Sequence, residues 1–178
     1  MCSPNNPTGA VYSKSELEAI GKWALSKEGL WVITDEIYQN LVYDGLKAYS
    51  ITELVPELAE RTMMVNGVAK SYAMTGWRLG WLIAPPDAAK AAANLQSHLT
   101  SNVSNISQRA AIEAITGDQE PVRQMLEAFD RRRKTAVAEL NKIEGIITPT
   151  PEGAFYVYPD VSALFGRDFG GRKFSSSL

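Results

Sequence analysis

The sequence predicts an α/β fold with a mainly parallel sheet, and three features predict it. Leu30 to Thr34 (LWVIT) is a short, unalternated apolar run rich in β-branched residues, the kind buried on both faces of a parallel sheet. A capped amphipathic helix pattern precedes it, which makes half of a βαβ unit. The run ends on the polar pair Asp35-Glu36, at the carboxyl edge where open α/β sheets bind ligands.

Taken in order, Ser13-Lys-Ser-Glu16 is a capping box. Leu17, Ile20, Trp23 or Ala24, and Leu25 supply an apolar stripe, so a helix is expected from about 14 to 28, stopped by Gly29. After LWVIT and a polar stretch containing Tyr43-Asp-Gly45, Thr62 to Asn66 (TMMVN) reads as a second strand and Leu79 to Ala84 (LGWLIA) as a third. Asn66-Gly67 suggests a hairpin turn, but the residues after it do not alternate, so a loop is expected there, with Lys70 on it. Pro85-Pro86-Asp87 opens a helix to about His98, and two more helices are expected over about 103 to 116 and 119 to 143, with Gly117 and Gly145 at their ends. Ala154 to Tyr158 (AFYVY) reads as a strand. The Pro149-Thr-Pro151 run marks a boundary between a domain over 1–148 and a segment over 149–178, which turns glycine- and serine-rich and includes Ser175 to Ser177. Trp23, Trp31, Trp77 and Trp81 are expected in the core.

Composition narrows the function. The 178 residues, 45% of them apolar, are enough for a real core. A net charge of -2 without like-charge runs gives no footprint for nucleic acid or an anionic membrane. The one basic cluster, Arg131 to Lys134, sits beside Glu127 and Asp130 and reads as a solvated helix face. A single cysteine, Cys2, allows no internal disulfide and no zinc-type ligand spacing, which fits a reducing compartment; no metal site is expected. No apolar run is long enough to span a bilayer and the N-terminus lacks signal-peptide character, so the chain reads as cytoplasmic.

Four motifs follow one another: Ser3-Pro-Asn-Asn-Pro-Thr-Gly9, Thr34-Asp-Glu-Ile-Tyr38, Asn66-Gly-Val-Ala-Lys70 and Met74-Thr-Gly-Trp-Arg-Leu-Gly80. Alone, the first is a turn, Asp35-Glu36 reads equally as a helix N-cap pair, and Lys70 is a surface lysine. The ordered set overturns these local readings. It resembles the class I aminotransferases, fold-type-I pyridoxal-phosphate enzymes of the aspartate aminotransferase family, from about Ser3 to Asp160.

The resemblance implies the central part of that family's large domain, with helices on both faces of the sheet, followed by the start of its small domain. It implies pyridoxal 5'-phosphate held as a Schiff base by Lys70, the catalytic residue, which also moves the substrate's proton. Asp35 faces the pyridine nitrogen, and Tyr38 and Asn6 donate to the ring 3-oxygen. Arg78 clamps the phosphate, a task suited to a guanidinium fork. Asn6 also serves the substrate, while Ser71 is adjacent without an assigned role. Gly153-Ala-Phe-Tyr156 resembles the segment that enters the substrate side, and reads equally as an edge strand.

The reaction implied is amino transfer between an amino acid, aspartate first, and a 2-oxo acid, 2-oxoglutarate first. The family forms homodimers, in which Leu99 to Asn105 would approach the partner's cofactor. Relative to the family pattern, the glycine-rich phosphate loop, an aromatic for ring stacking and the small-domain arginine for the substrate carboxylate have no counterpart, so the sequence is expected to be a fragment. Without the elements that precede Ser3 in the family, sheet edges and apolar faces are expected to be uncovered. Three alternatives remain: an inactive fragment, a non-catalytic aminotransferase-like module, and a pyridoxal-phosphate lyase on the same fold.

Overall fold

The Ser13 capping box starts the first helix: the Ser13 hydroxyl accepts from the Glu16 N–H, and the Glu16 carboxylate accepts from the Ser13 N–H at 2.8 Å. In the computed structural model, which describes residues 1–173 and 175, helix α1 covers Lys14–Leu25. It stops before Gly29 because the Ser26 N–H closes the last turn onto Lys22 and Trp23 carbonyls. Leu17, Gly21 and Ala24 form its buried face, and Trp23 points to solvent.

Strand β1 (Val32–Asp35) begins two residues into the LWVIT run and continues onto Asp35. The chain then forms a short helix α2 (Ile51–Leu54) and a 3-10 segment, Pro56–Arg61, before strand β2 (Thr62–Gly67). Neither connecting piece carries a pattern long enough to register in the sequence. Both matter for packing, because Ile51, Val55 and Leu58 close over Ala24 and Val32 as one core cluster. Strand β3 (Gly80–Ile83) follows. β1 and β2 pair in parallel, with Asp35 opposite Val65, and β2 and β3 pair antiparallel, with Gly67 opposite Gly80. The α/β expectation holds, with a mixed sheet of order β1-β2-β3.

Helices α3 (Pro86–Leu99), α4 (Asn105–Thr116) and α5 (Glu120–Leu140) lie close to their expected ranges. α5 sets Met125, Leu126 and Phe129 against Tyr38, Leu41 and Ala154, the second core cluster. A hairpin of β4 (Asp168–Phe169) and β5 (Arg172–Lys173) follows; Ser176 and Ser177 lie outside the described residues.

Three expectations are corrected. Ala154 to Tyr158 is not a strand: Gly153 makes one antiparallel bridge to Val42, and Ala154 at φ +57° turns the chain away. The β1 run is not buried on both faces, since Ile33 and, on β3, Ile83 are 59% and 58% exposed. Trp23, Trp31 and Trp77 are exposed and Trp81 half-buried, so none belongs to either core cluster.

Candidate active site

Strand direction gathers the four motifs. Because β1 and β2 run parallel, Asp35 and the exit toward Lys70 lie at the same carboxyl edge; β3 runs the other way, so Arg78 enters at that edge too. The first motif joins them through backbone pairing: the Asp35 N–H donates to the Met1 carbonyl at 2.9 Å, and Cys2 bridges Asp35 in parallel. Ser3 to Gly9 then closes as a turn, with the Gly9 N–H on the Asn5 carbonyl and the Thr8 hydroxyl on the Asn5 side chain, both within 2.9 Å. Gly9 has φ +71°, and a Cβ there would stand 2.3 Å from the Cβ of Pro151, so only glycine lets this turn dock on the Pro151–Gly153 segment. The Gly9 carbonyl accepts from the N–H groups of both Glu152 and Gly153.

An aromatic cluster stands at this edge. Tyr38 is buried in a turn after β1 and meets Phe155 and Tyr156 edge to face, with ring centroids 5.5 and 5.7 Å away. Its hydroxyl lies 2.6 Å from the hydroxyl of Tyr156, which also accepts from Asn6 Nδ2 at 3.4 Å. Lys70 is half-buried, with Nζ 5.7 Å from the centroid of Phe155. The Asp35 carboxylate accepts from the Ile37 N–H at 3.0 Å. It is close enough to Cys2 and Tyr38 to add, behind burial, to the upward shift of both groups' pKa values. Burial is the main cause of the Tyr38 shift, followed by its bond to Tyr156.

The structure therefore brings Asn6, Asp35, Tyr38 and Lys70 around one cluster. Arg78 is at the same edge but exposed, its guanidinium donating to the Thr75 carbonyl at 2.9 Å; among the described residues no contact joins it to the other four. It sits at φ +52°, and Ala73 in the same loop at φ +53°. Two non-glycine residues in the left-handed region within one loop are a strain typical of ligand-holding segments. Ser71 is buried and donates to the Ile37 carbonyl at 3.3 Å, tying the Lys70 loop to the turn that carries Tyr38.

Two contributors escaped the sequence reading. Tyr156 lies in a segment singled out there, but as a backbone element; its hydroxyl is what meets Tyr38 and Asn6. Arg133 belongs to the cluster read as a solvated face, and that reading holds for Lys134, which pairs with Asp130 at i,i+4. Arg133 itself is buried, its side chain 4% exposed. It pairs with Asp44 and Asp130, donates to the Pro151 carbonyl at 2.8 Å and lies 4.4 Å over the ring of Tyr43. Asp44 is distant in sequence, so nothing local marks the pairing. Arg133 holds the Asp44 carboxyl below its usual range, and Lys134 and then Arg133 do the same for Asp130. Burial pushes the Tyr43 phenol up to about 12, and its hydroxyl donates to the Ala154 carbonyl.

Beside Asp35, the Glu36 side chain is buried and accepts a hydrogen bond from the Thr34 hydroxyl at 3.3 Å. Burial raises its pKa above the ordinary 4.5. A raised carboxyl binds its proton more tightly in the folded state, so its stabilising contribution is full below pH about 4.5 and fades as pH rises through the raised value. Glu36→Gln should abolish this fade, so that its urea midpoint exceeds the parent's at neutral pH and converges with it in acid; a parallel pair of profiles would contradict the assignment.

Lys70, Asp35, Tyr38 and Asn6 thus stand at the carboxyl edge of the sheet beside an aromatic cluster. The chain belongs to the class I and II aminotransferases, whose family model matches residues 1–177. It is 59% identical to an aspartate aminotransferase of Streptomyces avermitilis, over 96% of this chain and 42% of that protein, and 48% identical to one of Geobacillus stearothermophilus, over 89% and 40%. Among solved structures it matches the aspartate aminotransferase of Rhizobium meliloti with a TM-score of 0.90 at 40% identity, covering 93% of this chain and 42% of that one. An aromatic aminotransferase from Pyrococcus horikoshii matches with a TM-score of 0.83 at 39% identity, covering 89% and 42%. The chain thus spans about two fifths of the length of these relatives. Among the described residues, no helix is long and apolar enough to cross a membrane.

Proposed function

We propose that this chain supplies the cofactor-holding part of a pyridoxal-phosphate-dependent aminotransferase, acting between an amino acid, aspartate first, and a 2-oxo acid, 2-oxoglutarate first. The observation that carries the reading is the convergence of Lys70, Asp35, Tyr38 and Asn6 on one aromatic cluster at the carboxyl edge. These residues fit the cofactor by their chemistry: an amine for its aldehyde, a carboxylate for its ring nitrogen, and a phenol and an amide as donors to its ring oxygen. Arg78, in its strained loop, offers the guanidinium for the phosphate.

Pyridoxal phosphate, when bound, supplies an electron-accepting ring that stabilises negative charge at the substrate's α-carbon. Lys70 would hold it through its amine, and the Lys70 Nζ, when free, would accept the proton from the substrate's α-carbon and deliver that same proton to the cofactor's C4′ carbon. Asp35 keeps a proton on the ring nitrogen, because a carboxylate beside a protonated nitrogen favours the charged form. Tyr38 and Asn6 orient the ring and draw charge from its oxygen, with Asn6 also within reach of the substrate.

A homodimer is expected from the resemblance. The exposed Leu95 and Leu99 on α3 and Ile106 on α4 support it, since an apolar face of this kind suits an interface. A cytoplasmic setting fits the single cysteine. Incubating an enzyme that contains this chain together with the family's remaining segments with pyridoxal phosphate, aspartate and 2-oxoglutarate should give glutamate and oxaloacetate in equal amounts. Release of ammonia without glutamate would replace transfer by elimination.

A further inference from the structure

The geometry points to Tyr156 as a positioning residue whose hydroxyl passes the donation of the Asn6 amide on to the Tyr38 phenol; this rests on the proposed cofactor role of Tyr38 and Asn6. The two phenol oxygens are 2.6 Å apart, and the Asn6 Nδ2 donates to the Tyr156 oxygen at 3.4 Å. If Tyr38 gives its own proton to a ligand oxygen, its oxygen remains as an acceptor, and the Tyr156 O–H is the donor that faces it. Tyr156, having donated, can only accept from Asn6, so the amide must present nitrogen to it. One Nδ2 hydrogen is thereby spent on Tyr156 and the other is turned toward the ligand. All bonds in the chain run in one sense, and each donor strengthens the next.

Tyr156 is held where this requires. The Ala154 N–H donates to the Leu41 carbonyl at 2.8 Å, the Ala154 carbonyl accepts from the Tyr43 hydroxyl, and Arg133 grips the Pro151 carbonyl from its buried position. Ala154 pays for this with a left-handed backbone at φ +57°, a conformation an alanine keeps only under such constraint. Phe155 and Tyr156 then project side by side, ring centroids 4.9 Å apart, onto Tyr38.

The test is Tyr156→Phe, which keeps the ring and removes the hydroxyl. A donor at the cofactor's ring oxygen draws off negative charge that would otherwise hold a proton on the Lys70 nitrogen. Loss of the relay should therefore raise the pH at which the absorbance of the cofactor-loaded protein changes by about half a unit to one unit, the size of one hydrogen bond. In a Tyr38→Phe background the same substitution should move it little further. An unmoved profile, or an equal shift in both backgrounds, overturns the proposal while leaving cofactor binding intact. Failure to load the cofactor at all would show itself as no visible absorbance and would overturn both readings.

Discussion

Lys70→Ala, in an enzyme that contains this chain and the family's remaining segments, is expected to lower amino transfer by at least about 10⁴-fold, because one substitution removes both the covalent holder and the group that moves the proton. Folding should hardly notice. The Lys70 ammonium has one contact of note, 5.7 Å above the Phe155 ring, and such a contact on a half-exposed group is worth about 0.5–1 kcal/mol. Glutamate formation measured beside urea unfolding separates the two quantities. A variant that loses activity and stability together would make Lys70 a structural residue, and one that keeps activity would remove it from the mechanism.

Leu41→Ala is expected to have the largest effect on stability. Leu41 is fully buried between Tyr38 and Ala154, and its carbonyl fixes the Ala154 N–H. Truncating such a side chain costs about 2–5 kcal/mol, a large part of the roughly 5–15 kcal/mol that holds a domain folded. The cavity would open beside the phenol of Tyr38, so the same change should also loosen cofactor binding. The check is the urea midpoint, which should fall at unchanged slope. A shift worth less than about 1 kcal/mol would mean that this cluster is not a core.

The parts of the fold written in local chemistry were legible. Ser13 and Glu16 mark the start of α1 because a capping box satisfies the helix's own orphan N–H groups, whatever the rest of the molecule does. The strands were legible as apolar runs, but the direction of β3 was not, since pairing depends on partners far along the chain. Ala154 to Tyr158 misled because aromatic and β-branched residues favour strands. In the fold, those rings serve the cluster around Tyr38, and the Ala154 N–H goes to a turn carbonyl in place of a strand.

At the site, Asn6, Asp35, Tyr38, Lys70 and Arg78 could be singled out because four ordered motifs resemble one family. Their grouping could not be read from any one of them: Lys70 alone is a lysine in a loop. Arg133 was hidden by its neighbours, three of them basic, and only the distant Asp44 and the Pro151 carbonyl distinguish it. The exposed Trp23, Trp31 and Trp77 show the reverse error, in which hydrophobicity alone was read as burial.

The most direct test of the central claim is borohydride reduction of the chain mixed with pyridoxal phosphate, followed by mass-spectrometric mapping of the labelled peptide. The expected result is one stoichiometric adduct, on Lys70, weakened in Arg78→Ala and lost in Asp35→Ala. Label scattered over many lysines, or none, would contradict it.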